Sequence, residues 1–180
     1  MAKLIYHTAI TLDNFIADSN GVADDSIFLN EGDHSTDFIS DIQQYDAVLM
    51  GGKTYEYGFQ FGLKPGEPSP YKLKHYIFSN TMQFESNDKV KLIKHNAVSF
   101  VQDLKMKEDG KLWLCGGGKL AGSLIEHQLI DQLVLKINPV IIGTGIPLFG
   151  NVKLRLNLDL VDMKQYSNGV LKSTYNIIYS

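Results

Sequence analysis

Apolar and polar positions along this chain follow two periods in turn. Leu4 to Leu12, Ala47 to Met50, Lys74 to Phe78, Val90 to Ile93, Leu112 to Cys115 and Leu133 to Ile137 are short runs rich in apolar or β-branched residues. Runs of that length read as strands. Between them, Phe38, Ile39, Ile42 and Tyr45 form one stripe at helical spacing. Val98, Val101 and Leu104 form a second, and Leu120, Leu124, Ile125 and Leu129 a third. Asp33 or Ser35 can cap the first helix, which starts near His34, and Asn96 the second, Ala97 to Lys107. Two long strands close the chain, about Val152 to Tyr166 and Val170 to Tyr179, with the hairpin signal Asn168-Gly169 between them. Strand–helix alternation ending in a hairpin predicts an α/β fold of three layers, α/β/α. Its central sheet should be mostly parallel and finish with antiparallel strands. No internal boundary or low-complexity run divides it, so residues 1–180 read as one domain.

The stretch that organises the chain is Lys111 to Gly150. Here a buried strand runs into Gly116, Gly117 and Gly118, then an amphipathic helix, a second apolar strand and a glycine-punctuated turn. Without Cβ atoms the backbone can turn sharply and approach a ligand or another element closely. A glycine turn feeding a helix presents unpaired N–H groups and the positive end of the helix dipole, which suits an anion. The same glycines also serve as a tight turn alone, since GGG is neither the GxGxxG fingerprint nor the GxxxxGK[ST] phosphate loop. Gly51-Gly52-Lys53-Thr54 repeats the arrangement: strand, glycines, short helix. Two such junctions suit an extended ligand with separated anionic groups. Ser79-Asn80 adds small hydrogen-bonding residues at a third strand end, and ligands of such sheets sit beyond the carboxyl ends of the strands.

Composition narrows the classes. A length of 180 residues and a 44% apolar fraction suit a domain with a sizeable core. Net charge is −3 and no basic run tracks a phosphate backbone, which disfavours nucleic acid. No apolar stretch nears the roughly 18 residues of a membrane helix. The start MAKLIYHTAITLD lacks the features of a secretory signal. A single cysteine, Cys115, excludes an internal disulfide framework and sits in an apolar strand, where packing is its role. The expected location is the cytoplasm. The five histidines have no metal-ligand spacing, and His34 is the one placed to face a cleft.

Four motifs carry a resemblance. Thr8 to Ala17, TAITLDNFIA, is similar to an "A-x-S-x-D-G-x-I-A" opening, and Leu49 to Glu56, LMGGKTYE, to an "M-G-R-x-T-Y-E" segment. Gly116 to Leu120 is similar to a pyrophosphate turn, and Asn138 to Phe149 to "P-V-x-x-G-x-G-x-x-L-F". In order and over essentially the whole chain, they resemble the dihydrofolate reductase-like superfamily. The closer likeness is to the C-terminal reductase domain of the bacterial bifunctional riboflavin-biosynthesis deaminase/reductase.

The resemblance implies a dihydrofolate reductase-like fold and an NADPH-dependent oxidoreductase. It would transfer a hydride to a small pterin-, pyrimidine- or flavin-related heterocycle. By the same resemblance, Ala9 and Ile16 would line the nicotinamide end and Gly51, Gly52, Lys53 and Thr54 the adenosine half. Ser79 and Asn80 would meet the ribose, and Gly116, Gly117, Gly118, Lys119 and Leu120 the pyrophosphate. Where the family commonly has Arg after the first Gly, this chain has Gly52, leaving Lys53 to grip a 2′-phosphate. Cys115 or Gly116 stands where the riboflavin branch has Glu, and the deaminase half has no counterpart here. The acceptor also needs a proton; the candidates are Asp37, at the edge of the first apolar stripe, and Asp33. A helix cap or dipole charge is the alternative role for both. Asp13 reads as a turn-shaping residue. A homodimer is expected from the family likeness and the long final strands. Alternatives are a dihydrofolate reductase proper or a non-catalytic dimeric nucleotide-binding protein.

Overall fold

The computed structural model describes residues 1–179. Its frame is a sheet of eight strands: β1 Lys3–Thr11, β3 Ala47–Gly51, β4 Lys74–Phe78, β5 Val90–Ile93, β6 Lys111–Gly116, β7 Gln132–Asn138, β9 Asn157–Gln165 and β10 Leu171–Ile178. Across the sheet they lie in the order β5-β4-β3-β6-β1-β7-β10-β9. β5 through β7 in that order run parallel, whereas β10 is antiparallel to both β7 and β9. Side chains alternate across each strand, and β1 shows the consequence. Tyr6 and Ile10 face the core beneath α3 (Ala97–Lys107) and α4 (Gly118–Glu126). Ile5 packs on the opposite side with Ile42 of α1 (Asp33–Ile42) and Tyr55 of α2 (Gly52–Glu56). The sheet is therefore the middle of three layers.

Trp113 anchors the α1 side. Its indole N–H donates to the His7 carbonyl at 2.8 Å, and its ring stacks on Tyr45 at 5.9 Å with Phe38 and Tyr71 edge-on. On the other side α3 carries a buried cation. Lys105 donates to the Leu129 carbonyl at 2.7 Å and to Asp131 at 2.5 Å, and Asp131 also accepts from the Leu4 amide. A buried ammonium persists only with such partners.

Several local expectations change. Ile39 is 56% exposed; the inward positions of α1 are His34, Phe38 and Ile42, a four-residue spacing. Neither Asp33 nor Ser35 caps α1. Gly32, at φ 121°, occupies that position, and the Ser35 hydroxyl donates to the Asn30 carbonyl instead. Asn96 holds the α3 N-cap position in a left-handed conformation, with no side-chain cap. β9 begins at Asn157, five residues after the predicted start. A small antiparallel ribbon has no counterpart in the sequence pattern: β2, Phe15–Ala17, in the segment between β1 and α1, pairs with β8, Ile146–Pro147, in the segment after β7. Asp13 ties the same loops together by accepting from the Ile142 and Gly143 amides. Among the described residues no helix is long and apolar enough to cross a membrane.

Candidate functional site

Strand register brings the glycine junctions together. Gly51 lies opposite Phe78, and Met50 opposite Gly116, so the chain leaves β3, β4 and β6 at one level. Pairing between β1 and β6 ends at Tyr6 and Leu114, while residues 7–11 of β1 pair with β7. The sheet therefore opens between β1 and β6 toward its carboxyl edge, where ligands of such sheets bind.

At this edge the glycines pack closely against their neighbours, most tightly at Gly52. A Cβ on Gly51 would lie 3.4 Å from the Gly117 nitrogen, one on Gly52 2.8 Å from Ser79 Oγ, and one on Gly117 3.1 Å from Thr54 Oγ1. Gly116 has φ +155°, and a cis peptide joins it to Gly117. No side chain caps the α4 N-terminus, so the amides of its first turn are available to an anion. Exposed Lys53 and Lys119 flank the two junctions, giving each an ammonium group. Ser79 shapes the turn after β4, its hydroxyl accepting from the Met82 amide at 3.1 Å, while Asn80 is exposed. Ala9 lies on the stretch of β1 beyond the point where β6 parts from it, and Ile16 lies on β2 with Leu120 nearby in the same core. The predicted cofactor residues thus gather around one edge of the sheet.

A separate cleft lies between α1 and the sheet. His7, His34, Phe38, Lys136, Tyr166 and Lys172 line a cavity of about 10 Å³, about one water's worth of space. Lys136 and Lys172 face each other across the β7–β10 register. Lys172 pairs with Asp41 at 2.8 Å. Lys136 donates to the Leu29 carbonyl at 2.7 Å and forms no ion pair among the described residues. Burial lowers its pKa.

The two carboxylates singled out from sequence stand at different distances from this chemistry. Asp33 is exposed on the first turn of α1. Asp37 accepts from Lys164 and from the Tyr166 hydroxyl, both at 2.6 Å. Those two hydrogen bonds, the lysine's foremost, hold its carboxyl below the ordinary range. Neither carboxylate lines the cavity itself. Sequence reasoning did not single out His7, Lys136, Tyr166 or Lys172. The available signal was a lysine inside an otherwise apolar strand, as in LVLKIN. Burial pushes the Cys115 thiol up to about 12, which leaves it un-ionised and suits a packing role.

Comparison with known proteins places this geometry. Residues 69–172 match the model of the RibD C-terminal domain. The uncharacterised protein YyaP of Bacillus subtilis (strain 168) is 34% identical over 182 residues, covering 97% of this chain and 94% of that protein. Among solved structures, a putative riboflavin biosynthesis protein from Shewanella sp. PV-4 superposes with a TM-score of 0.80 at 28% identity. That match covers 99% of this chain and all of the other. A dihydrofolate reductase from Enterococcus faecalis, complexed with NADP(H), gives 0.65 at 15% identity over 97% and 96% of the two chains. The last similarity concerns the fold alone.

Proposed function

Because the chain belongs to the RibD C-terminal domain family, we propose that it is an NADPH-dependent reductase acting on a small pterin-, pyrimidine- or flavin-related heterocycle. One observation carries this reading above the rest. Glycines from two strand ends converge, with Ser79 of a third, beside the uncapped N-terminus of α4, and a Cβ on Gly52 would crowd Ser79. The dihydrofolate reductase of similar fold holds NADP(H), and these residues suit the same kind of molecule.

When bound, a reduced nicotinamide supplies the hydride; the chain supplies position and charge. The amides of Gly117, Gly118, Lys119 and Leu120 face a pyrophosphate. Gly51, Gly52 and Thr54 offer backbone and hydroxyl contacts to the adenosine half, with Ser79 and Asn80 on the ribose side. Lys53 provides a point charge for a 2′-phosphate where Gly52 offers only its N–H. Ala9 and Ile16 would border the nicotinamide end. Beside the cleft under α1 Asp37 orients Tyr166, which lines it, and neutralises Lys164. Held ionised, it acts through charge and orientation and does not itself supply the proton, and Asp33 adds negative potential from outside.

Calorimetric titration tests the proposal. The wild type binds NADPH in the micromolar range and NADH more weakly, and Lys53→Ala loses about tenfold for NADPH, ~1.4 kcal/mol, with little change for NADH. Equal losses for both cofactors remove the 2′-phosphate contact. No binding of either removes the reductase reading.

A further inference from the structure

Residues 62–73 join the helical turn after α2 to β4, and a buried histidine fastens their far end to the sheet. His75, on β4, is fully buried. Its Nδ1 lies 2.8 Å from the Leu73 carbonyl oxygen, and its Nε2 lies 3.2 Å from the Ser69 amide nitrogen and 2.5 Å from the Ser69 hydroxyl. Pro68 and Pro70 have no amide hydrogen, so Ser69 supplies the one backbone donor of that stretch.

These partners fix the protonation state. A carbonyl only accepts, so Nδ1 carries a hydrogen; an amide N–H only donates, so Nε2 carries a lone pair. The ring is therefore the neutral Nδ1–H tautomer, and the Ser69 hydroxyl donates to the same lone pair. A second proton would occupy Nε2, set it donor against donor with the Ser69 N–H, and place a charge in a buried site. The surroundings offer that charge no compensation. Val48 of β3 and Val90 of β5 flank the ring in register. Tyr55 of α2 and Tyr71 of the loop are kept neutral by burial. Lys64, Glu67 and Lys72 of the loop, Lys74 of β4, and Asp88, Lys89 and Lys91 about β5 are all exposed. Burial lowers the imidazole pKa, with the Leu73 carbonyl opposing it.

We infer that Ser69 and His75 form a pH-operated latch on the 62–73 loop, closed while the imidazole is neutral and opened when acid protonates Nε2. The latch is independent of the reductase reading and holds with or without a cofactor. Once open, His75 meets water and titrates near 6.5; closed, it titrates lower. Opening therefore takes up a proton, and its equilibrium constant rises by up to about tenfold per pH unit below about 6.5. Above that pH the latch is closed and insensitive to pH. The near end of the loop stays tied to α2, because the Tyr55 hydroxyl donates to the Glu67 carbonyl. Tyr71 registers the release: it packs edge-on against Trp113 at 4.9 Å, and Trp113, the only tryptophan, is 1% exposed.

Nitrogen-15 NMR and tryptophan quenching test the latch. At pH 7.5 His75 should show as the Nδ1–H tautomer. Between pH 7.5 and pH 5 the amides of Ser69, Tyr71 and Lys72 should move toward unstructured positions in step with the His75 ring. Over the same range acrylamide should quench Trp113 more strongly, while the amides of β1 and β7 hold their places. His75→Gln, whose amide oxygen accepts from Ser69 and does not titrate, should keep the loop closed at pH 5. His75→Phe, without an acceptor, should show the open-loop signals already at pH 7.5. Where a variant does not fold, the wild-type titration decides alone. An Nε2–H tautomer, loop amides unmoved at pH 5, or loop and core amides lost together overturns the latch. So does the wild-type acid response in His75→Gln, or a closed loop in His75→Phe.

Discussion

At the scale of single residues, His7 couples the α1 cleft to stability. It is 2% exposed, its Nδ1 lies 3.0 Å from the Tyr45 hydroxyl, and burial lowers its pKa to about 4. Asp41 pulls the value up, and Lys172 and Lys136 push it further down. An unfolded histidine titrates near 6.5. As pH falls from about 6.5 to about 4, the unfolded chain therefore takes up a proton that the folded ring refuses, and stability drops across that window. Above it the ring is neutral in both states and contributes no pH dependence. His34 and His75 shift in the same direction, also chiefly by burial. The lowered carboxylates Asp13, Asp24, Asp37 and Asp109 act at lower pH. Urea unfolding at pH 7.5 and pH 5 should show the wild type losing about 1–3 kcal/mol, and His7→Phe losing distinctly less. Equal losses in the two proteins would assign the titration to other groups.

At the scale of elements, the glycines of α4 are where packing overrules propensity. A Cβ on Gly122 would run into the Phe149 carbonyl and come within 2.8 Å of Val152, and one on Gly118 would meet the Pro147 carbonyl. Gly122→Ala should gain about 1 kcal/mol of helix propensity and lose about 1–3 kcal/mol to overpacking. The expected outcome is a lower melting temperature, and a higher one would show that the 147–152 turn yields easily. The glycine junctions were legible from sequence because strand, glycine and helix follow one another locally. The parallel strands and their helices were legible because their apolar periods are regular. β2 and β8 were not, because a ribbon three residues by two has no period and exists only through a contact across the whole chain. The outward turn of Ile39 was hidden for a related reason: His34, a polar residue, takes an inward position of α1. The cleft was hidden most thoroughly. Lys136 and Lys172 meet only through strand register, and Tyr166 reaches Asp37 from far along the chain.

At the scale of the whole molecule, the sheet ends on an unprotected strand. Every residue of β9 is exposed, and Leu158, Leu160, Val161 and Met163 are 44–60% exposed, with Ile178 of β10 beside them. Long apolar edges of this kind associate unless they are covered. We propose that two copies of this chain cover it mutually. Light scattering at micromolar concentration should give twice 20.1 kDa, and Leu160→Lys with Met163→Lys should give the single mass with the fold retained; a wild-type monomer would contradict the proposal. If the glycine-lined edge between β3, β6 and β1 binds a nicotinamide dinucleotide, backbone amide shifts of the labelled protein during titration with NADPH locate the site most directly. The predicted map has its largest changes at Gly52 to Thr54, Ser79 and Gly117 to Leu120, with smaller ones at Ala9 and Ile16. Saturable binding whose shifts fall elsewhere, or no shifts at all, would contradict it.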